Sequence, residues 1–391
     1  MQAPVQGKPT KENAMAGKLR VGVIGFAHMH INELMRQMHA QPGVEWVACA
    51  DTVPNRPELV DAKNTRGWNK NAIALGELGI PKGYDDYREM LSKEKLDLVI
   101  FCPENSRHGE VAEAIAAHGA HMLTEKPMAA SLSEALRMSR AAEAAGVSLI
   151  VNWPITWSAA VRTAHRVINE GLIGDVWQVK WRAGSMGPLS HGSVHPGVDG
   201  TMVEMTDTER GATWWHQADT GGGALLDYCC YGACLSRWFI GEPAVAANGM
   251  LANFRSHYGD ADDNAVITVR FPHAIAILEA TWTCLDHGVP TGPIIYGSTG
   301  TLVVDRAGGR QVLLLKRGRG SEPVEVELDH LPEGRETLGQ EVMHHITTGE
   351  ALHETLQMGF NLQAQAILDA GQRSAHSGKL ELVNNGTWTI G

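Results

Sequence analysis

The chain has 391 residues, of which 43% are hydrophobic and 20% charged, and its formal net charge is −11 at pH 7. That length exceeds what one compact core holds and predicts two domains. The acidic balance, without a long basic run, argues against a nucleic-acid surface, and no apolar stretch reaches the length of a membrane span. Residues 1–18 are polar, lack the apolar segment of a secretory signal, and read as a flexible arm. Cys49, Cys102, Cys229, Cys230, Cys234 and Cys284 follow no paired metal spacing, and several lie in apolar runs. They are expected to be reduced residues of a cytoplasmic protein.

In chain order, LRVGVIG (19–25) reads as a buried strand ending in glycine, followed by a helix from about 28 to 39. VEWVACAD (44–51) is a second strand ending in an acid, and LDLVIFCP (96–103) is another, with a helix near 107–118 after it. HMLTEKP (121–127) is a short strand running into proline. A Ser-capped helix over 131–146 and the strand VSLIVN (147–152) close the series. Strands alternating with helices predict parallel βαβ units, hence an α/β Rossmann domain over 19–150.

The pattern changes over 151–391. A helix is expected at 157–170, then strands at 175–183, 244–252, 264–271, 274–283, 300–305, 311–316 and 324–328, with helices at about 338–348 and 354–374. FPHA (271–274) and GG (308–309) separate neighbouring strands as hairpin turns do. This predicts an α+β domain with a large, open, mostly antiparallel sheet, one face on helices and the other free to pack against another subunit. The segment 184–220 is Gly-, His- and Pro-rich without a period, a length of irregular chain that is usually functional.

Three places carry chemistry. A strand that ends in Gly25 and opens a helix suits a dinucleotide pyrophosphate, since backbone N–H groups and the helix dipole favour an anion there. Gly25, Phe26, Ala27, His28 and Met29 form that loop, although Ala27 and His30 stand where G-x-G-x-x-G has its second and third glycines, so a plain strand–helix turn is the competing reading. Asp51, ending the second strand, is placed to accept from ribose hydroxyls and to repel a 2′-phosphate, which favours NAD over NADP. Its competing reading is a solvated turn acid. In GGGALLDYCCYGAC (221–234), Asp227 and Tyr231 fall one helical turn apart on one face. His28 and His30, or His191, His195 and His216, form no placed metal-ligand set, so no metal is expected.

VGVIG with its downstream acid, PENSRHGEVAEAIAAHGAHMLTEKPMAASLSEA (103–135), VINEGLIGDVWQVK (167–180) and GGGALLDYCCYGACLSRWFIGEP (221–243) together resemble the glucose–fructose oxidoreductase/inositol dehydrogenase (Gfo/Idh/MocA) family. The resemblance implies a nicotinamide at the Rossmann switch point and a homodimer or homotetramer formed through the open sheet. It implies that Pro103, Asn105, His108, Glu125 and Lys126 line the cofactor pocket. Lys126 corresponds to the family's active-site lysine and Asp227 to its substrate-binding aspartate. Tyr231 stands at the usual catalytic histidine, as in glucose–fructose oxidoreductase itself.

In this reading Tyr231 is the acid/base, Lys126 an activator that lowers the phenol's pKa from about 10, and Asp227 the substrate anchor. Asn152, Trp153, His191, His195, Trp214, Trp215 and His216 are expected to bind a sugar, stacking on its apolar face and reading its hydroxyls. The loop 184–220 is expected to close over substrate rather than cofactor. The expected activity is hydride transfer between a nicotinamide and a secondary alcohol of a sugar, sugar derivative or cyclitol. The alternatives are a glycoside-cleaving or eliminating enzyme that oxidises its substrate transiently, and a non-catalytic NAD-binding sensor.

Overall fold

A computed structural model describes residues 17–54, 56–60, 62–190, 193, 195–198, 204–285, 287 and 289–383. His191 and residues 1–16 of the expected arm lie outside the described residues.

Six parallel strands form the first sheet: β1 (Leu19–Phe26), β2 (Val44–Ala50), β3 (Gly83–Tyr84), β4 (Leu98–Cys102), β5 (His121–Glu125) and β6 (Leu149–Asn152), in the order β3-β2-β1-β4-β5-β6. The continuous apolar runs arise because both faces are covered: Val21, Val23, Leu98, Ile100 and Leu123 belong to one core, Ile24, Val99, Phe101 and Met122 to another. Ser131 caps the helix Leu132–Ala145 by accepting from Glu134 N–H. The strand order reverses between β1 and β4, and ligands of such sheets bind at the carboxyl ends there. Those ends present the Gly25–His30 loop, Asp51, Pro103–Asn105 and Glu125–Lys126. Periodicity missed β3, the helical segment 66–77 and the helix Tyr87–Lys93, all too short or too polar to show a period.

The second sheet has nine strands: β7 (Val176–Gly184), β8 (Ala246–Ala252), β9 (Asn264–Arg270), β10 (Ile275–Thr281), β11 (Ile294–Gly297), β12 (Thr301–Ala307), β13 (Arg310–Lys316), β14 (Val324–Val326) and β15 (Glu381–Leu382). Its order is β14-β13-β12-β11-β7-β10-β9-β8-β15. It is mixed rather than antiparallel throughout, because β7 and β10 pair in parallel. The meander β8–β9–β10 docks on β7 by its last strand, which runs in β7's direction. β11 and β15 escaped the sequence reading because each is short.

The helices Ala159–Asn169, Cys230–Ile240 and Met358–Ser377 pack on this sheet. Trp177, Met250, Val266, Ile275 and Leu382 remain exposed along its strands. No helix among the described residues is long and apolar enough to cross a membrane.

Candidate active site

At the end of β5, the chain turns through a cis Lys126–Pro127 peptide. Lys126 is 2% exposed, and its Nζ donates to Asp227 Oδ1 at 3.0 Å and to the Asp227 carbonyl at 3.1 Å. Asp227 comes from the other side of the cleft. Its Oδ2 accepts from the indole N–H of Trp282 at 3.1 Å.

Asp227 sits in a wide π turn, Leu225–Cys229, that opens the α-helix Cys230–Ile240, so the expected regular α turn is corrected to a π turn. Asp262 secures that start: its Oδ2 accepts from Leu225 N–H at 2.8 Å and its carbonyl from Ala224 N–H at 2.9 Å. Gly222 has no room for a Cβ, which would stand 2.2 Å from the Trp215 carbonyl oxygen. This close approach explains one of the glycines before the helix.

Tyr231 packs its ring against Trp181 and, edge-on, against Trp153, both at 5.7 Å between centroids. Lys126 Nζ lies 4.7 Å from the same ring's centroid, over its face. Burial opposes the lysine's charge, but Tyr231, Asp227, Cys230 and Glu125 outweigh it and hold its pKa well above the ordinary value. For Tyr231 the balance runs the other way. Burial raises the phenol's pKa, Lys126 only partly counters, and the net direction is up. The expectation that Lys126 lowers this pKa below a free phenol's is therefore corrected: desolvation wins, and the site holds a protonated phenol beside an ammonium.

The remaining residues divide by what they touch. Glu125 accepts from Asn152 Nδ2 at 2.6 Å and faces His30 Nδ1 at 3.3 Å, so Asn152 braces the β5 end. Trp153 is buried and its indole N–H is spent on Asn361 at 2.7 Å, which makes it a wall behind Tyr231. His216 is buried between Tyr258 and Trp282, its Nδ1 without a partner, and burial, aided by Arg210, lowers its pKa to about 4. His195 is half-buried; its Nε2 donates to the Pro188 carbonyl at 2.7 Å, and burial with His30 lowers its pKa to about 4.

Trp214 and Trp215 stack on each other at 4.1 Å and meet the His28 ring tilted at 5.8 Å and edge-on at 4.8 Å, respectively. The Trp214 indole N–H donates to the Ala27 carbonyl at 2.9 Å. These two tryptophans, expected to bind a sugar, stand against the Gly25–His30 loop, because the described part of 184–220 packs at the carboxyl ends of the first sheet.

The residues around the switch point suit a dinucleotide. Gly25 has φ +78°, and a Cβ there would stand 2.6 Å from Pro103 N, so the turn is tight against β4. Phe26 and Thr52 N–H donate to Asp51 Oδ1 at 3.1 and 2.8 Å, and Arg66 Nη1 reaches it at 2.6 Å. Burial raises the Asp51 pKa, against Arg66 and those two N–H groups. Arg66 also pairs with Glu104. Arg66 Nε, Glu104 Oε2 and Asn105 Oδ1 are buried without a hydrogen-bond partner, a set of open donors and acceptors on this edge that a nucleotide's ribose and amide groups would satisfy.

Asn105 Nδ2 donates to the Gly221 carbonyl at 2.8 Å, tying β4's end to the Gly-rich loop. His108 is buried, with Nδ1 on the Met128 carbonyl at 3.0 Å and a pKa lowered by burial to about 4. Met29 is fully buried beneath the loop. Among the described residues no group of three or more His, Cys, Asp or Glu is arranged to hold a metal. Sequence reasoning missed Arg66, Asn69, Trp282 and Asp262, which reach the site from segments without a local motif, and Glu104, which stands between the named Pro103 and Asn105.

Residues 19–153 match the family described as "Oxidoreductase family, NAD-binding Rossmann fold", and residues 161–303 match the "GFO/IDH/MocA C-terminal domain". The chain belongs to the Gfo/Idh/MocA oxidoreductase family. A dTDP-3,4-didehydro-2,6-dideoxy-alpha-D-glucose 3-reductase of Streptomyces antibioticus is 24% identical over 290 residues, covering 74% of this chain and 76% of that protein. The scyllo-inositol 2-dehydrogenase (NAD(+)) of Bacillus subtilis is 23% identical over 306 residues, covering 77% and 78%. Among solved structures, the aldose-aldose oxidoreductase of Caulobacter crescentus, complexed with glycerol, superposes with a TM-score of 0.70 at 20% identity, covering 93% of this chain and 99% of that one; it shows the shared fold.

Proposed function

We propose that this protein is an NAD-dependent oxidoreductase acting on a secondary alcohol, or the corresponding ketone, of a sugar, sugar derivative or cyclitol. The observation that carries the reading is the Lys126–Asp227 pair, 3.0 Å apart, at the end of β5 with the ammonium over the Tyr231 ring. A bound nicotinamide supplies the hydride acceptor or donor, and Gly25, Phe26, Ala27, His28, Met29, Asp51, Pro103, Asn105 and Glu125 are the residues that would hold it. Relatives named as dehydrogenases and reductases favour net hydride transfer over the eliminating and non-catalytic readings.

Asp227 accepts from a substrate hydroxyl with the lone pairs that Lys126 and Trp282 leave free. Lys126 holds that carboxylate in place and donates to the reacting oxygen. Tyr231 carries the proton. Because its phenol stays protonated through neutral pH, it is poised to donate to a carbonyl, so ketone reduction is the direction that needs no prior ionisation. Alcohol oxidation requires the deprotonated partner and rises with pH into the alkaline range. NAD is preferred to NADP because Asp51 repels a 2′-phosphate, Arg66 notwithstanding.

The test is a panel of sugars, cyclitols and their ketones followed at 340 nm with NAD(H) and NADP(H), together with the Tyr231→Phe variant. Turnover in the panel that falls in the variant while NADH binding persists supports the reading. NADH binding without turnover on any substrate would reject catalysis. The uncovered sheet face, with Trp177 and Ile275 exposed, is proposed to bury against a second copy in a homodimer or homotetramer. Light scattering that gives a monomer mass at micromolar concentration would reject that.

A further inference from the structure

The dinucleotide fingerprint works through glycines that let the backbone turn tightly and approach the pyrophosphate. Here Ala27 and His30 occupy two of those places. The loop is nonetheless held in one conformation, and its fastenings come from outside it. Asn69 Nδ2 donates to the Phe26 carbonyl at 3.0 Å, and Asn69 Oδ1 is itself fixed by Asn32 Nδ2 at 2.9 Å. Trp214 Nε1 donates to the Ala27 carbonyl at 2.9 Å, with its ring stacked on Trp215. A peptide unit is planar, with the carbonyl of one residue directed opposite to the N–H of the next. Fixing the Phe26 carbonyl therefore aims the Ala27 N–H, and fixing the Ala27 carbonyl aims the His28 N–H.

The consequences are visible in the loop. His28 N–H reaches the Cys102 carbonyl at 3.3 Å, which anchors the turn on β4. His30 N–H is taken by His28 Nδ1 at 3.1 Å. The N–H of Met29, a residue 0% exposed, takes no acceptor among the described residues. Buried backbone donors are rarely left orphaned, and an anion at this helix start would satisfy it. The long loop also runs across the helix that follows: a Cβ on Gly197 would stand 2.4 Å from Glu33 N, and Arg36 donates to the Gly197 carbonyl at 3.1 Å.

We propose that Asn69 and Trp214 are positioning residues of the pyrophosphate loop, holding its backbone through the Phe26 and Ala27 carbonyls in place of the absent glycines. This rests on the dinucleotide reading above and makes cofactor affinity depend on a loop from beyond the first sheet. The loop 184–220, expected to close over substrate rather than cofactor, would then also hold the cofactor loop.

The test is calorimetric titration of the full-length protein with ADP-ribose and with AMP, which share the adenosine site but differ in the pyrophosphate. Trp214→Phe keeps the ring and removes the indole N–H; Asn69→Leu removes the other tie. Each variant is expected to lose about tenfold in ADP-ribose affinity, the scale of one buried hydrogen bond, while AMP affinity stays within about twofold. Equal losses for both ligands, or none for either, overturn the proposal in whichever variant folds. Failure of the unaltered protein to bind ADP-ribose or NADH overturns the dinucleotide reading itself, and this inference with it.

Discussion

Asp51 and Asp227 are both largely buried and both paired to a cation, Arg66 at 2.6 Å and Lys126 at 3.0 Å, yet they are assembled differently. Every partner of Asp51 belongs to the first sheet and its connections: Phe26, Thr52 and Arg66. Asp227 takes its partners from elsewhere in the chain, Lys126 at the end of β5 and Trp282 beyond β10. The first pair lies wholly within the Rossmann half. The second joins the two halves of the chain, so the placement of Lys126 over Tyr231 depends on the contact between them. A buried ion pair adds little net stability over an apolar replacement, whereas removing one partner leaves an uncompensated charge. Severing each pair should therefore give different failures.

The largest effect is expected from Lys126→Met. It strands Asp227, costing about 3–5 kcal/mol of stability, and turnover falls below detection; thermal unfolding and single-turnover kinetics with NADH check both. The comparison breaks if activity survives. Next comes Tyr231→Phe, with kcat down about 10²–10⁴-fold and NADH affinity unchanged by fluorescence titration. Tyr231→His should recover part of the loss, since an imidazole titrates near neutrality.

Arg66→Met acts on the other pair. It should weaken NADH binding by about tenfold or more, the scale of a lost charge-assisted hydrogen bond, while kcat at saturating cofactor moves little. A comparable fall in kcat would show that the two pairs are not separable.

Acid stability samples both regions. His108 and His216 have folded pKa values lowered to about 4, against about 6.5 unfolded. A depressed histidine pKa means the unfolded chain binds more protons between those values, so stability is full above about 6.5 and lost as pH falls toward about 4. Melting temperatures across that window should decline, and His216→Phe should flatten the slope. The smallest effect is Asp51→Ser, which should narrow the preference for NAD over NADP in Kd ratios; tighter NADP binding by the unaltered protein would overturn the role of Asp51.

Much of this was legible in the residues. Continuous apolar runs ending in glycine, acid or proline marked β1, β2, β4 and β5, and the ends of those strands carry the Gly25 loop, Asp51, Pro103 and Lys126. GGGALLDYCCYG marked the segment that brings Asp227 and Tyr231 to the cleft. Short elements such as β11 and β15 carry too few residues for a period to show, and the π turn at Leu225–Cys229 has no signal in i, i+4 spacing. The substrate reading of Trp153 and Trp214 followed from residue type. Where an indole N–H goes is a matter of which carbonyl the fold brings near, Asn361 in one case and Ala27 in the other.

By itself the sequence determined the two kinds of sheet, the family, and the chemistry available at the end of β5: an ammonium, a carboxylate and a phenol. These are local properties, written in periodicity, in turn residues and in motifs a few residues long. The tertiary structure alone decided that Lys126 faces the ring of Tyr231 with the phenol's pKa raised, that Arg66 occupies Asp51, and that the Trp214 indole donates to the Ala27 carbonyl. Each of these depends on contacts between residues far apart in the chain and on how far burial outweighs a neighbouring charge, and neither is encoded in any short stretch.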